Sequence, residues 1–298
     1  EIMPSLVGSE MCIRDSYNAY KMIAGYRFSY DDINNDYPIL ESVTRYGVYG
    51  SKLPSTKFSY EIKNGVPVLK KIEYPMGGYV EFETAEKNKT YTRENGYYSL
   101  YNLEPQSIRY EKRLFYVTKK VEYDGFNTYT TIYSYPDGFV WNDDKETFFS
   151  KKTVVTDNDG NDVVYEFELR KGMEGKTKRQ AVYRGDAKNG NILFAINTGW
   201  EKFYPDEYDR KVYHVRKKYE EYEHYSELNP SEKRVTNISY ENFDTANCDL
   251  PKITINKGFI DDDNDDYYTE RTYTSAGEVS CLLGSVRLAN RMGGTVYY

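Results

Sequence analysis

KFSYEIKNGVPVLKKIEYPMGGYVEFET, residues 57–84, decides how the rest of the chain is read. Lys57–Ile62 and Val68–Glu73 are short β-type runs joined through Asn64-Gly65, a pair that accepts the positive φ of a tight hairpin turn. Pro75-Met76-Gly77-Gly78 marks a second turn into Tyr79–Thr84. There Tyr79 and Glu81 alternate with Val80 and Phe82, giving one wet face and one apolar face. Strand, turn, strand, turn, strand is a β-meander, and most of the chain repeats it.

Upstream, Tyr17–Asp31 closes on the short strand YRFSYDD, residues 34–38 form a loop, and Ile39–Tyr46 is a strand ending at Gly47. Downstream, Leu114–Tyr123 places Phe115, Val117, Val121 and Tyr123 on one face, interrupted by Lys119. Tyr129, Thr131, Tyr133 and Tyr135 share the face of the next strand. Phe148–Thr156 then turns through residues 157–161 into a strand with Val163, Tyr165, Phe167 and Leu169 on one side. Asp162, Val164, Glu166, Glu168 and Arg170 occupy its other side, and a one-residue slip would exchange the two sets. Lys87–Gln106 is polar and reads as an irregular, mobile excursion, and Gly172–Lys188 as a basic connector. In Arg210–Leu228 the EEYEHYSEL portion is compatible with a short helix, but Val212–Val215 favours one long strand. Val235–Tyr240, Lys252–Asn256, Tyr268–Tyr273 and Ser285–Leu288 continue the alternation.

The expected fold is therefore all-β, with antiparallel meanders and hairpins forming a curved, open sheet and little helix. The 298 residues suit one large β unit or two smaller ones, with a sub-boundary near residues 171–190. Only 39% of residues are hydrophobic and the mean hydropathy is -0.80. The 34 tyrosines compensate, since each ring buries on the order of 150–250 Å² while its hydroxyl stays hydrated or bonded. A net charge of -7 argues against a nucleic-acid partner. No apolar run is long enough for a membrane-spanning helix, and the outward faces carry too many Lys and Glu for the lipid belt of a barrel.

Residues 1–16, EIMPSLVGSEMCIRDS, lack periodicity and resemble a translated sequencing adapter. They are read as an artefactual or disordered leader, with residues 17–298 as the β-rich segment of a longer chain. Cys12 leaves the count with them. Cys248 and Cys281 are too few for a disulfide framework and lack metal-ligand spacing.

Candidate chemistry is sparse. Asp157, Asp159 and Asn161, with Glu168, have the ligand types of a calcium loop, but Asp162 stands where the loop needs its glycine, so a hairpin turn is the favoured reading. Asp261, Asp263 and Asp265 belong to an acidic run whose carboxylates a divalent cation would relieve. The calcium spacing fails there too, and a solvated loop is favoured. Glu166 with Glu168, and Glu220 with Glu221 and Glu223, are the paired carboxylates. A glycosidase pair must flank a bond, and wet-face charge explains these without one. His214 and His224 are the only histidines, so a histidine metal site or a Ser-His-Asp triad would need one of them. No catalytic residue and no cofactor is assigned.

Taken in order, several stretches resemble the RHS/YD-repeat toxin proteins, which include SpvB-like proteins and the Tc-toxin B component with its TcdB-type middle region. These are LESVTRYGVYGSKLPSTKFSY (40–60), LKKIEYPMGGYVEFE (69–83), RLFYVTKKVEYDG (113–125), TTIYSYPDG (130–138) and ETFFSKKTVVTDNDGNDVVYEFE (146–168). ISYENFDTANCDLPKITINKGF (238–259) and DDDNDDYYTERTYT (261–274) follow. Ser55 replaces the second proline of the family's L-P-P run, and Tyr240–Asp244 stands where a Y-D-x-x-G-N unit would be. The resemblance implies a hollow β-shell enclosing a C-terminal toxin polypeptide, with a self-cleaving aspartyl-protease segment further downstream. No D-P-x-G run is present, so no cleavage residue carries over.

The expected function is a non-enzymatic shell segment of a secreted or cell-surface bacterial toxin. Its partner is a toxin cargo domain in the same or a partner chain, alongside a pore-forming or propeller component. The alternatives are a glycan-binding or carbohydrate-active β-domain using exposed Tyr with Trp141 and Trp200, and a calcium-stabilised adhesin.

Overall fold

The computed structural model describes residues 10–14, 22–33, 37–47, 50–94, 107–203, 214–227, 229, 231–243, 250–259, 267–276 and 279–290. Among the described residues there is no α-helix. The chain forms two compact units, Glu1–Tyr133 and Ser134–Tyr298.

In the first unit β1 (Glu10–Arg14), β2 (Met22–Ile33), β3 (Tyr37–Tyr46), β4 (Thr56–Lys63), β5 (Val66–Glu73), β6 (Tyr79–Glu94), β7 (Ser107–Tyr123) and β8 (Thr128–Ser134) follow in order. Each pairs antiparallel with the next, so the unit is an open meander. Residues 10–14 of the leader thus supply a strand.

The hairpin β4–β5 forms as its chemistry dictates. Lys63 pairs with Val66 across Asn64 (φ 51) and Gly65 (φ 80), the positive values that suit the right-handed twist of the flanking strands. In the next turn Tyr74 N donates to Gly78 O at 2.8 Å and Gly77 sits at φ 92.

Two β-bulges then reset the alternation. In β5, Tyr60 pairs with Leu69 and Ser59 with Lys71, leaving Lys70 as the extra residue. Leu69 and Ile72, three residues apart, thereby share the face of Phe58, Tyr60 and Val80. In β7, Glu83 pairs with Lys119 and Thr84 with Val117, leaving Thr118 as the extra residue. The apparent interruption at Lys119 is this bulge. Val121 and Tyr123 lie on the Lys119 side, opposite Glu81 and Tyr79, whereas Phe115 and Val117 lie on the other face with Val80 and Phe82.

The expected excursion at Lys87–Gln106 is largely strand. β6 continues to Glu94, paired with β7 from Ser107, and Tyr91 stacks on Tyr110 at 5.6 Å. Backbone pairing and cross-strand contacts sustain these arms without a hydrophobic run on either face. Residues 95–106 fall outside the described residues.

In the second unit β9 (Phe139–Asn142) and β10 (Thr147–Ser150) form a separate two-stranded ribbon. β11 (Lys152–Thr156), β12 (Asp162–Phe167), β13 (Thr177–Arg184), β14 (Asn191–Phe203), β15 (His214–Tyr225), β16 (Lys233–Phe243), β17 (Pro251–Phe259), β18 (Tyr267–Ala276) and β19 (Val279–Asn290) make a second open meander. Phe148–Thr156 divides at Lys151 between ribbon and meander. The basic connector at 172–188 contains strand β13, and the 214–225 stretch is strand rather than helix.

The alternation in β12 runs opposite to the sequence reading. Asp162 and Val164 are 6% and 4% exposed, while Leu169 is 37% exposed. The cause is the pairing, in which Val164 lies between Val154 and Ala181, and Ala181 pairs with Ala195. Asp162 is accommodated because its carboxylate accepts Thr156 Oγ1 at 2.6 Å and Ala187 N at 2.8 Å. Elsewhere burial is slight. Among the described residues the buried hydrophobic side chains are Val80, Val164, Met173, Ala181 and Ala195.

Candidate functional site

The register of the second unit stacks side chains into rows across one face of β11–β16. One row runs Val154, Val164, Ala181, Ala195, Glu223, Val235. The neighbouring row runs Lys152, Glu166, Arg179, Asn197, Glu221, Asn237. A small-residue row therefore abuts a polar one, and Glu223 lies where they meet.

The Glu223 side chain is only 6% exposed. Its carboxylate accepts Arg179 Nη2 at 2.8 Å, Tyr225 Oη at 3.0 Å and Lys233 Nζ. Burial alone would raise its pKa, but the donors Lys233, Tyr225 and Arg179 outweigh burial and hold it below the ordinary glutamate value. Arg179 Nη1 also donates to Asn197 Oδ1, and Asn197 Nδ2 donates to Glu221 Oε1 at 3.1 Å. On the opposite face, Glu220 accepts Lys217 Nζ at 2.7 Å and the hydroxyls of Tyr240 at 2.7 Å and Tyr222 at 3.3 Å. Burial would raise Glu220, yet Lys217 and Tyr240 bring it down, while burial and Glu220 drive the Tyr240 hydroxyl upward.

These positions bear on the paired carboxylates. Glu220 points away from Glu221 and Glu223, so the three do not converge. Glu168 is bound to Arg170 Nη2 at 2.6 Å, the pairing that chiefly lowers its pKa. Every carboxylate with a displaced pKa among the described residues is displaced downward.

The Asp157–Asn161 segment is a tight turn. Asp157 Oδ1 accepts the amides of Asp159 at 2.9 Å and Asn161 at 2.8 Å, Oδ2 accepts Asn161 Nδ2 at 3.1 Å, and Gly160 takes φ 82. The Asn161 amide is the chief cause of the lowered Asp157 pKa. The carboxylate is thus spent on the backbone, and among the described residues no group of three or more His, Cys, Asp or Glu is arranged to hold a metal ion. Asp261, Asp263 and Asp265 lie outside the described residues. His214 and His224 are both exposed on β15, and His224 packs against Phe194 at 5.1 Å.

Neither tryptophan is a bare platform. Trp141 Nε1 donates to Asp143 Oδ1 at 2.7 Å and its ring meets Phe148 edge-on at 5.1 Å. Trp200 Nε1 donates to Thr177 O at 2.8 Å, with Lys176 Nζ 5.1 Å and Lys217 Nζ 5.9 Å from its ring. Trp200 borders a cavity of about 430 Å³ on β12–β15, whose lining includes Glu166, Glu168, Arg170, Lys178, Arg179, Asn197, Gly199, Lys218, Tyr219 and Glu221. A smaller cavity of about 340 Å³ in the first unit is lined by Pro54, Ser55, Glu73, Tyr74, Gly78 and Tyr79. Sequence reading did not single out the larger cavity. Its signals were Gly199, an otherwise costly glycine inside a strand, and lysines breaking the alternation of two strands.

In its fold this open all-β meander is similar to Tc-toxin chains. The crystal structure of TcdB2-TccC3 is similar over 88% of this chain, at TM-score 0.53 and 8% identity, and that of TcdB2-TccC3-Cdc42 over 91%, at 0.51 and 9%. This chain spans 22% and 19% of those chains. No family model and no curated protein matches the sequence.

Proposed function

We propose that this chain is a wall segment of an RHS/Tc-like toxin shell that encloses or delivers a toxin polypeptide and performs no chemistry itself. The observation that carries the reading is the likeness of the meander to TcdB2-TccC3 over 88% of the chain. The ordered motifs between residues 40 and 274 support it independently. Its mechanism is confinement. Long antiparallel strands pair along their length and present half-buried tyrosines, apolar enough to line a wall and hydrated enough to leave a cargo chain unfixed. Glu168, Glu174, Glu220 and Glu223, held ionised by neighbouring donors, serve the wall's own cohesion. A secreted bacterial toxin, with a cargo domain in the same or a partner chain and a pore-forming or propeller component beside it, is the setting this implies.

The test is to express the complete reading frame that contains this segment, image the particle by cryo-electron microscopy, and digest it with protease. The expected result is a hollow β-wall containing these strands and an internal polypeptide protected until the wall is denatured. A particle with no enclosed density, from a frame with no cargo domain and no partner cargo gene, overturns the reading.

A further inference from the structure

The 430 Å³ cavity is built by two β-bulges that flank one glycine. In β13, Arg179 pairs with Glu166 and Thr177 with Phe167, which leaves Lys178 as the extra residue. In β15, Tyr219 pairs with Gly199 and Lys217 with Trp200, which leaves Lys218 as the extra residue. A bulge re-aims its extra side chain, and both re-aimed side chains are exposed lysines that line the same cavity. Between them Gly199 has no side chain, and Tyr219 fills that gap. A Cβ on Gly199 would strike Cε1, Cδ1 and Cζ of the ring, so the phenol lies flat across β14 with 39% of the residue exposed.

We propose that this cavity binds an acidic sugar residue of a glycan, a uronate or sialate. This inference is independent of the shell reading. The flat Tyr219 ring offers an apolar surface for sugar C–H groups. The two bulge lysines supply the charge-assisted hydrogen bonds a carboxylate needs. The carboxylates of Glu166 and Glu221 are acceptors for sugar hydroxyls. They also disfavour an acidic peptide, whose carboxylate on every residue they repel, relative to a sugar that brings one carboxylate and several hydroxyl donors. The volume falls in the range of small-ligand sites and suits one or two sugar rings.

The experiment titrates the full chain by calorimetry with a hyaluronan tetrasaccharide, sialyllactose, their uncharged counterparts chitotetraose and lactose, a sulfated heparin disaccharide, and a poly-glutamate peptide. Saturable binding of a carboxylate sugar is expected, at least about tenfold tighter than its neutral counterpart and weakened by salt. The double variant Lys178→Ala/Lys218→Ala loses about tenfold or more while keeping the parent's melting curve, since both side chains are exposed. Tyr219→Phe retains binding and Tyr219→Ser loses it. Absence of binding by either acidic sugar, equal binding of neutral and acidic sugars, undiminished binding by the double variant, or preference for the heparin disaccharide or poly-glutamate each overturns the assignment.

Discussion

Protonation of Glu174 should loosen the β9–β10 ribbon before the meander yields. Glu174 lies in the turn between β12 and β13, and its side chain is only 3% exposed. It accepts Asn142 Nδ2 at 3.0 Å, Gly172 N at 2.8 Å and Lys145 Nζ at 3.0 Å, so one carboxylate ties the turn to the ribbon. Burial works against its charge, but the amides of Gly172 and Glu174 and the Lys145 ammonium overcome this and lower its pKa from 4.5 to about 2. Because the folded value is depressed, the stabilisation is full above the unfolded value and disappears as pH falls through the folded one. The shift corresponds to about 3 kcal/mol at most. Its charged partner Lys145 is 47% exposed, so solvent screening reduces this to about 1–2 kcal/mol. Glu174→Gln keeps an acceptor but removes the charge. Parent and variant should therefore differ by that amount near pH 6 and converge toward pH 2. The assay is amide hydrogen exchange of residues 139–150 across pH, corrected for intrinsic exchange, with urea unfolding followed by Trp141 fluorescence in a Trp200→Phe background. A pH-independent gap between parent and variant, or no gap at pH 6, refutes the reasoning.

Three other outcomes are expected. Gly199→Ala should destabilise the chain by about 1–3 kcal/mol because the new Cβ meets the Tyr219 ring; adding Tyr219→Ala should recover much of the loss, and additive urea midpoints would contradict this. Glu223→Ala leaves Arg179 and Lys233 without their shared carboxylate and should cost about 3 kcal/mol, whereas an unchanged urea midpoint would remove its anchoring role. Calcium or EDTA should leave the melting temperature unchanged, and Asp157→Ala should cost about 1 kcal/mol with or without calcium, because that side chain bonds the turn; a calcium-dependent rise in melting temperature would revive the ion-site reading.

The strands were legible wherever turn chemistry bounded them. Asn64-Gly65, residues 74–78 and residues 157–161 each mark their turns correctly, because a positive φ or an Asx bond is written in one or two residues. Facing was legible only in strands without a bulge. Period-two alternation assumes that one residue answers one residue across the ladder, and Lys70, Thr118, Lys178 and Lys218 each break that count. β12 misled for another reason. Its burial follows from Val154 and Ala181 on its neighbours, and the burial of Asp162 from donors at Thr156 and Ala187, partners that only pairing supplies. Glu223, read as wet-face charge, has a side chain only 6% exposed, and its anchoring of Arg179 and Lys233, like the cavity beside Gly199, was missed for the same reason, since each is assembled from several strands.

The bulges also bear on how such a sheet tolerates changes in length. A strand carrying one is two half-strands whose alternation is out of step in sequence but in step across the ladder. Gaining or losing a single extra residue such as Thr118 leaves the pairs on either side of it intact, so every side chain keeps its face and both flanking turns keep their own residues. A bulge can thus absorb a one-codon insertion or deletion inside a strand without turning the rest of that strand over. The path of the backbone is then less sensitive to the number of residues along a strand than strict alternation would require.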